Sequence, residues 1–445
     1  VSLRFGTDGV RGVANSELTP ELVLALGRAA ARTLGGSRFA VGRDTRVSGP
    51  LLQAALTAGM AAEGADVVDL GVVPTPAVAW VAAADGVPAA VISASHNPFP
   101  DNGIKFFAAG GRKLSDDAES RLEAELDRVL AHGGSARTGQ AVGRIRPDPA
   151  AADRYEEAVA ATLEGRRLDG LRVVLDCANG AAHRVGPAVV RRLGADVTVI
   201  CDGPDGTNIN AGCGSTHPER LQAEVVRCRA HAGLAFDGDA DRVVAVDHAG
   251  RLVDGDQLLA MCALDLRRRG RLRGDTVVVT VMTNLGFHRA MAAHGIRVVA
   301  TAVGDRYVLE ALEENGWSLG GEQSGHIIFR DLATTGDGLL TGVQVLDLVC
   351  RSGRPLAELA GVMERMPQVL RNVRVADRDG LEEAVSLWEE VRAVEALLGD
   401  RGRVLVRPSG TEPVVRVMVE APTREAADAA AERLCVAITR ALGSA

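Results

Sequence analysis

The chain of 445 residues carries 50 Lys plus Arg against 58 Asp plus Glu, a net charge of −8, with 47% apolar and 24% charged residues. That length lets it bury a sizeable core without staples, and the acidic balance argues against a nucleic-acid or anionic-membrane partner, because both need a basic face. The seven cysteines are odd in number and hold no CxxC pair, and no long apolar run or signal-peptide core is visible, so a reduced, cytoplasmic protein is expected.

The first motif is Phe5-Gly6-Thr7-Asp8-Gly9-Val10-Arg11-Gly12. Its glycines permit close approach to an anion and Arg11 supplies charge; a flexible arm is the plain alternative. A strand over 39–42, an apolar helix over 51–63, Gly64 and a strand over 65–68 then form a βαβ unit, with Gly64 placed as a left-handed helix cap. The apolar run 89–92 reads as a buried strand, followed by Ser93-Ala94-Ser95-His96-Asn97-Pro98, where Pro98 and Pro100 bar a helix. Ser95 therefore falls just past a strand's C-terminal end, where open α/β sheets bind ligands. No G-x-S-x-G elbow occurs, and adjacent Ser95 and His96 make a poor nucleophile–base pair. An ordinary polar turn, or a serine that carries a phosphoryl group, remains. Lys105, a few residues on, is one of only two lysines, with Lys113.

A Gly/Pro-rich stretch over 132–150 separates this unit from a second βαβ pattern: strand 172–176, helix 185–193, Gly194 and strand 195–197. The acidic run Asp237-Gly238-Asp239-Ala240-Asp241-Arg242 follows, between two apolar strands. Carboxylates at i, i+2 and i+4 repel unless a cation sits among them, and oxygen-only ligands suit Mg²⁺. An EF-hand is excluded, since its sixth and twelfth positions would be Arg242 and His248. The third βαβ pattern has strand 276–281, helix 285–294, Gly295 and strand 296–299. After it, Gly320-Gly321-Glu322-Gln323-Ser324-Gly325-His326 displays groups suited to sugar hydroxyls.

The last eighty or so residues read as α+β: a strand near 372–376, a helix over 381–398, strands 404–406 and 414–419 as one antiparallel hairpin, and a helix over 424–442. Arg407-Pro408-Ser409-Gly410-Thr411-Glu412-Pro413 joins the hairpin strands, and with Arg416 it offers an arginine-and-hydroxyl cradle for phosphate. Nucleotide-binding motifs are missing, and aromatic residues are only 3%.

Five of these motifs, in this order and spanning residues 5 to 416, resemble the α-D-phosphohexomutase family, most closely its bacterial phosphoglucosamine mutase branch. They are Gly6-Thr7-Asp8-Gly9-Val10-Arg11-Gly12, Ser93 to Pro98, Asp237 to Arg242, Gly321 to His326 and Arg407 to Pro413. The resemblance implies an α/β fold: three related α/β domains with parallel-rich mixed sheets around a central cleft, plus a smaller C-terminal α+β domain that supplies closure. The boundaries expected are 1–148, 149–250, 251–365 and 366–445.

By the same resemblance Ser95 is the phosphoserine. Asp237, Asp239 and Asp241, with a phosphoserine oxygen, hold one Mg²⁺. Arg11, His96, Lys105 and Arg242 surround the reacting phosphoryl group. Glu322 and Ser324 grip sugar hydroxyls, and Arg407, Ser409, Gly410, Thr411 and Arg416 hold the phosphate that is not reacting. Lys105 and His326 are both candidates for proton transfer. The implied reaction interconverts glucosamine 6-phosphate and glucosamine 1-phosphate, with glucosamine 1,6-bisphosphate as intermediate and activator, feeding UDP-N-acetylglucosamine and cell-wall synthesis. Alternatives are a phosphomannomutase/phosphoglucomutase, a Mg²⁺-dependent sugar phosphatase and a non-catalytic sugar-phosphate sensor. The expected partner is a small hexosamine phosphate, with neither nucleic acid nor membrane; a homodimer and a Ser/Thr kinase that primes Ser95 are left open.

Overall fold

The computed structural model describes residues 9–133, 137–409 and 413–443. Gly6, Thr7, Asp8, Gly410, Thr411 and Glu412 lie outside the described residues. Two compact units are present: Val1–Met282 with Ile296–Val362, and Thr283–Gly295 with Met363–Ala445.

The first unit contains three sheets. The first has β1 (Val10–Val13), β2 (Arg38–Arg43), β3 (Asp66–Val72), β4 (Ala89–Ile92), β5 (Asp101–Phe107) and β6 (Ile145–Pro147) in the order β1-β5-β4-β2-β3-β6. The second has β7 (Arg172–Asp176), β8 (Asp196–Ile200), β9 (Ala232–Phe236), β10 (Val243–Asp247) and β11 (Leu252–Val253) in the order β11-β10-β9-β7-β8. The third has β12 (Thr276–Thr280), β13 (Arg297–Thr301), β14 (Leu319–Gly321) and β15 (Ile327–Phe329) in the order β13-β12-β14-β15.

One plan recurs in all three. A first strand pairs in parallel with a second on one side and a third on the other: β2 with β3 and β4, β7 with β8 and β9, β12 with β13 and β14. The third strand then turns back into an antiparallel neighbour: β4 into β5, β9 into β10, β14 into β15. The sheets are thus mixed and rich in parallel pairs, as expected. Strands β4, β9 and β10 are buried at every residue, which is why they read as unbroken apolar runs rather than alternating ones. In the first sheet Phe39 and Val41 pack with Leu52, Leu56 and Met60 from the Gly49–Ala62 helix, all at 0% exposure. The glycines read as helix caps have positive φ at all three positions: 93° at Gly64, 100° at Gly194 and 63° at Gly295.

Two expectations need correction. The C-terminal sheet is not a lone hairpin. Its strands β16 (Gln368–Arg374), β17 (Arg403–Pro408) and β18 (Val414–Glu420) form a three-stranded sheet with β18 central and both pairings antiparallel. Strand β16 also starts before residue 372, because Gln368, Arg371, Asn372 and Arg374 break up its apolar alternation and hide its first half. The helix expected from 381 begins at Val385, after a single 3₁₀ turn over Asp379–Leu381.

The helix Leu285–Ala293, between β12 and β13, groups with the second unit. There Asn284 caps it, accepting from the Met366 N–H at 2.9 Å and donating to the Met366 carbonyl at 3.0 Å, and the Leu285 N–H donates to Glu420 at 3.1 Å. Among the described residues no helix is long and apolar enough to cross a membrane, and all seven cysteines are free.

Candidate active site

Three sequence motifs fall at one topological position. Residues 93–100 join β4 to β5, residues 237–242 join β9 to β10, and residues 322–326 join β14 to β15. Each is the reversal after the third strand of its sheet. Backbone bonds anchor the second and third within the first unit. The Asp239 carbonyl accepts from Thr75 N–H at 3.0 Å, the Ala240 carbonyl from Gly338 N–H at 3.0 Å, and the Gly325 carbonyl from Val243 N–H at 3.2 Å. Gly325 has φ of 90°, and a Cβ there would lie 2.0 Å from the Val243 carbonyl oxygen, so only glycine lets the third loop meet the second.

Ser95 is 1% exposed and has φ of 51°, a left-handed conformation that a non-glycine residue holds only when its surroundings enforce it. The enforcing residues are visible. The Ser95 N–H donates to Ser93 Oγ at 3.0 Å, and Ser93 Oγ donates to Asp44 at 2.6 Å. Arg46, fully buried and paired with Asp44 at 2.9 Å, donates to the carbonyls of Ser95 (2.9 Å), Asn97 (2.9 Å) and Pro98 (2.6 Å). Asn210 donates to the Ser95 carbonyl at 2.9 Å and to that of Asn97 at 3.1 Å. The hydroxyl that this frame presents donates to Asp237 Oδ2 at 2.5 Å.

Asp237, Asp239 and Asp241 are all buried, with carboxylate oxygens within 4.8 Å of one another. Burial, reinforced by Asp241 and Asp239, pushes the Asp237 carboxyl well above its usual range. Burial also acts upward on Asp241, but Lys105 and His326 overcome it and hold that carboxyl well below. Lys105 Nζ lies 3.2 Å from Asp239 and 3.6 Å from Asp241. Thr75 Oγ1 donates to Asp239 Oδ2 at 2.7 Å. The other oxygens, Asp239 Oδ1 and Asp241 Oδ1, are buried without a hydrogen-bond partner. Orphaned oxygens in an all-carboxylate set fit a hard divalent cation, which would satisfy them both.

The remaining first-unit candidates stand around this core. The His96 ring is lowered in pKa by burial and by the nearby Arg242 and Arg11, so it is neutral at pH 7 and its Nδ1 accepts from Arg242 Nη1 at 3.0 Å. Ser95 Oγ lies 3.4 Å from that same nitrogen. Arg11 sits on β1 opposite Gly103 of β5. His326 is buried between Asp305 (3.2 Å) and Asp241 (3.7 Å); burial opposes its charge, but the two carboxylates win and raise it to about 10. The Gly336 N–H donates to its Nε2 at 3.1 Å. Glu322 accepts from the Gly304 N–H at 3.1 Å and from Ser324 Oγ at 3.4 Å, and Ser324 is exposed. All these residues belong to the first unit.

Arg407, Ser409 and Arg416 belong to the second unit. Arg407 of β17 and Arg416 of β18 are register partners. Arg416 Nη2 reaches Ser409 Oγ at 3.4 Å, and the buried Ser409 donates its N–H to the Val414 carbonyl at 2.9 Å. Burial, then Arg416, lower the Arg407 pKa, and Arg407 Nε is buried without a partner. Two adjacent guanidinium groups of this kind suit a phosphate. Gly410 and Thr411, assigned to the same cradle, lie outside the described residues.

Several residues at the site were not singled out from the sequence: Asp44, Arg46, Thr75, Asn210 and Asp305. Asp44 and Arg46 carried a usable signal. They directly follow β2, at the same strand end that drew attention to Ser95. Asn210 sits in an irregular polar loop with no periodic cue, and Asp305 is the first residue of its helix, where an acidic residue is ordinary.

Known proteins resemble the chain along its whole length. Four phosphoglucomutase/phosphomannomutase domain families match it: alpha/beta/alpha domain I over residues 2–132, domain II over 153–250, domain III over 254–366 and the C-terminal domain over 370–437. A phosphoglucosamine mutase of Desulforudis audaxviator is 56% identical over 424 residues, 94% of this chain and 93% of that protein. One from Acidothermus cellulolyticus is 56% identical over 448 residues, 99% and 96% of the two chains. The crystal structure of a phosphoglucomutase/phosphomannomutase family protein from Burkholderia thailandensis superposes with a TM-score of 0.81 at 28% identity, covering 99% of this chain and 98% of that one.

Proposed function

The chain belongs to the phosphoglucomutase/phosphomannomutase family of phosphohexomutases, and on that footing we propose that it interconverts glucosamine 6-phosphate and glucosamine 1-phosphate. Relatives 53–56% identical over nearly the whole chain are phosphoglucosamine mutases. The observation in this molecule that carries the reading is the Ser95 hydroxyl held 2.5 Å from Asp237, in a cluster that keeps two carboxylate oxygens orphaned.

In this reading Ser95 carries a phosphoryl group on Oγ. The Oγ–P bond breaks as a bond forms between phosphorus and the sugar O1, giving the 1,6-bisphosphate. After the sugar turns over, the 6-phosphoryl group returns to Ser95 by the reverse chemistry. In the forward transfer one proton leaves the sugar hydroxyl and one arrives on Ser95 Oγ. Lys105 and His326 are the two candidates for that relay, and each stands beside Asp241, Lys105 at 3.6 Å and His326 at 3.7 Å. Arg11, Arg242 and neutral His96 orient the phosphoryl oxygens. Asp237, Asp239 and Asp241 would hold Mg²⁺ together with a phosphoserine oxygen, and the ion would offset the charge that a phosphate brings to a carboxylate cluster.

Glu322 and Ser324 take sugar hydroxyls in this scheme. Arg407, Ser409, Gly410, Thr411 and Arg416 take the phosphate that stays in place. Glucosamine 1,6-bisphosphate serves as activator by rephosphorylating Ser95. The division at 148, 250 and 365 is retained as the domain proposal. Seven free cysteines support a reducing, cytoplasmic setting.

The test is peptide mass spectrometry after turnover with labelled glucosamine 1,6-bisphosphate, alongside kcat/KM on glucosamine, glucose and mannose phosphates. Phosphate on the Ser95 peptide and a preference for the amino sugar are expected. An unlabelled Ser95 overturns the mechanism, and a preference for glucose or mannose phosphate overturns the substrate.

A further inference from the structure

The second sheet carries a thiol pair that the proposed reaction does not use. Strand β8 ends at Ile200, and Cys201 follows with φ of 52°, a left-handed residue at the mouth of a long loop. The loop returns to the buried Cys213. The two sulfurs and a carboxylate oxygen of Asp176 all lie within 4.8 Å of one another. Two thiols and a carboxylate could suggest a metal. However, the Asp176 oxygens accept the backbone N–H groups of Ala178 and Gly214, each at 2.9 Å. The carboxylate is occupied in shaping the loop, and the Asn179 side chain donates to the Cys213 sulfur at 3.8 Å.

The pair is asymmetric. Cys201 is partly exposed, with Arg220 Nη1 3.6 Å from its sulfur. The neighbouring Cys213 thiol, helped by Arg220, lowers the Cys201 pKa against burial and the Asp176 carboxylate. Cys213 is pushed up by the Cys201 thiol and by burial. Cys177, Cys262, Cys350 and Cys435 are also pushed up, in each case by burial first. One accessible, thiolate-prone sulfur beside one shielded thiol is the arrangement of an attacking and a resolving cysteine.

The loop between them reaches the Ser95 turn. Asn210 holds the Ser95 and Asn97 carbonyls, as described above, and its own N–H donates to the Ala178 carbonyl at 2.9 Å. Asn179, next in the chain, donates its N–H to the Cys201 carbonyl at 2.6 Å and its side chain to the Asn208 carbonyl at 3.2 Å. Val47 donates to the Gly206 carbonyl at 2.8 Å. Cys201 and Asn210 are thus linked through adjacent Asn179 and Ala178.

We propose that Cys201 and Cys213 form a peroxide-sensitive dithiol whose closure to a disulfide displaces Asn210 and slows the enzyme. The Cys201 thiolate attacks hydrogen peroxide; the O–O bond breaks, hydroxide leaves and takes up a proton as water, and Cys201 becomes a sulfenic acid. The Cys213 sulfur then attacks the Cys201 sulfur; the S–O bond breaks and the second water departs with the Cys213 proton. Two thiols are oxidised to one disulfide, and one peroxide is reduced to two waters. The new bond, about 2.05 Å long, draws both ends of the Asn210 loop together. The effect on turnover rests on the role proposed for Ser95; the cross-link does not.

The full-length enzyme is treated with a small excess of hydrogen peroxide, alkylated with iodoacetamide and mapped by peptide mass spectrometry, with turnover measured in parallel. A Cys201–Cys213 cross-linked peptide two hydrogens lighter is expected, with the other five cysteines alkylated. Turnover should fall about ten- to a hundred-fold and recover with dithiothreitol. Cys213→Ser should give no cross-link, retain turnover under peroxide and trap Cys201 as a dimedone adduct. Both thiols staying alkylatable under peroxide overturns the proposal, as does a cross-link without loss of turnover. One equivalent of Zn²⁺ protecting both thiols in the reduced enzyme overturns it too, in favour of a metal site. Failure of the Ser95 reading would register separately, as absent mutase turnover before any oxidant is added.

Discussion

The acidic loop after β9 and the arginine pair on β17 and β18 are opposite solutions to handling charge. In the first, three buried carboxylates share Lys105, Arg242 and His326 as neighbours, and two oxygens still lack partners. In the second, Arg407 and Arg416 stand in register, and burial, then Arg416, disfavour the charge of Arg407. In the proposed scheme the first takes a cation and the second takes an anion. The two should therefore respond differently to mutation. Damage at the first should appear in the chemical step, and damage at the second in binding.

The largest effect belongs to the hydroxyl that the acidic loop holds. Ser95→Ala should reduce mutase kcat on the order of 10⁴-fold or more, measured by coupled assay with bisphosphate present, while leaving melting temperature nearly unchanged. Near-normal turnover would remove Ser95 from the centre of the scheme. Next, Asp239→Asn should cost about 10²–10³-fold in kcat, since a cation at such a site supplies several kcal/mol of charge stabilisation. Chelation of the wild type with EDTA should mimic it, and Mg²⁺ should rescue the wild type alone. Kinetics that ignore Mg²⁺ would erase the contrast. Arg407→Ala should act on the other side, raising KM for the hexosamine phosphate about 10- to 100-fold, as for one lost charged hydrogen bond, with kcat less affected. A pure kcat defect would contradict the division.

The smallest effect probes a carboxylate without cationic support. Asp337, at the start of the helix Gly338–Ser352, is raised to about 6 by burial, against the Leu340 N–H and the Tyr155 hydroxyl at 2.8 Å. Its folded pKa lies above the unfolded value of 3.8. Its stabilising contribution is therefore complete below about pH 4 and lost as pH rises through 6, by at most about 3 kcal/mol. Asp337→Asn should flatten that part of the stability–pH curve, read by chemical denaturation at pH 4 and pH 7. An unchanged slope would show that Asp337 does not titrate there.

Much of this was legible in the sequence, for identifiable reasons. Strands β4, β9 and β10 were readable because full burial keeps them almost wholly apolar, and Gly64, Gly194 and Gly295 because a left-handed helix cap favours glycine. The aspartate triplet was readable because three carboxylates at that spacing repel unless a cation or solvent screens them. Strand β16 was misplaced because exposed Arg371, Asn372 and Arg374 mask its alternation. Arg46 escaped notice because an arginine in a chain with 48 of them draws no attention until its full burial is seen. Asn210 was invisible for a different reason: its partners, the carbonyls of Ser95 and Asn97, lie more than a hundred positions away, and no local pattern encodes such a bond.

The three reversals that follow β4, β9 and β14 share one address in three similar sheets. The proposed nucleophile, ion cluster and sugar-facing loop are thereby carried on separate, interchangeable-looking hairpins rather than on one crowded segment. A lineage can revise which hexose is accepted by altering the shortest of them, residues 322–326, and leave the serine and the aspartates untouched. Gly325 sets the limit on that freedom: whatever else the loop becomes, it must keep a residue without a side chain where it passes over Val243.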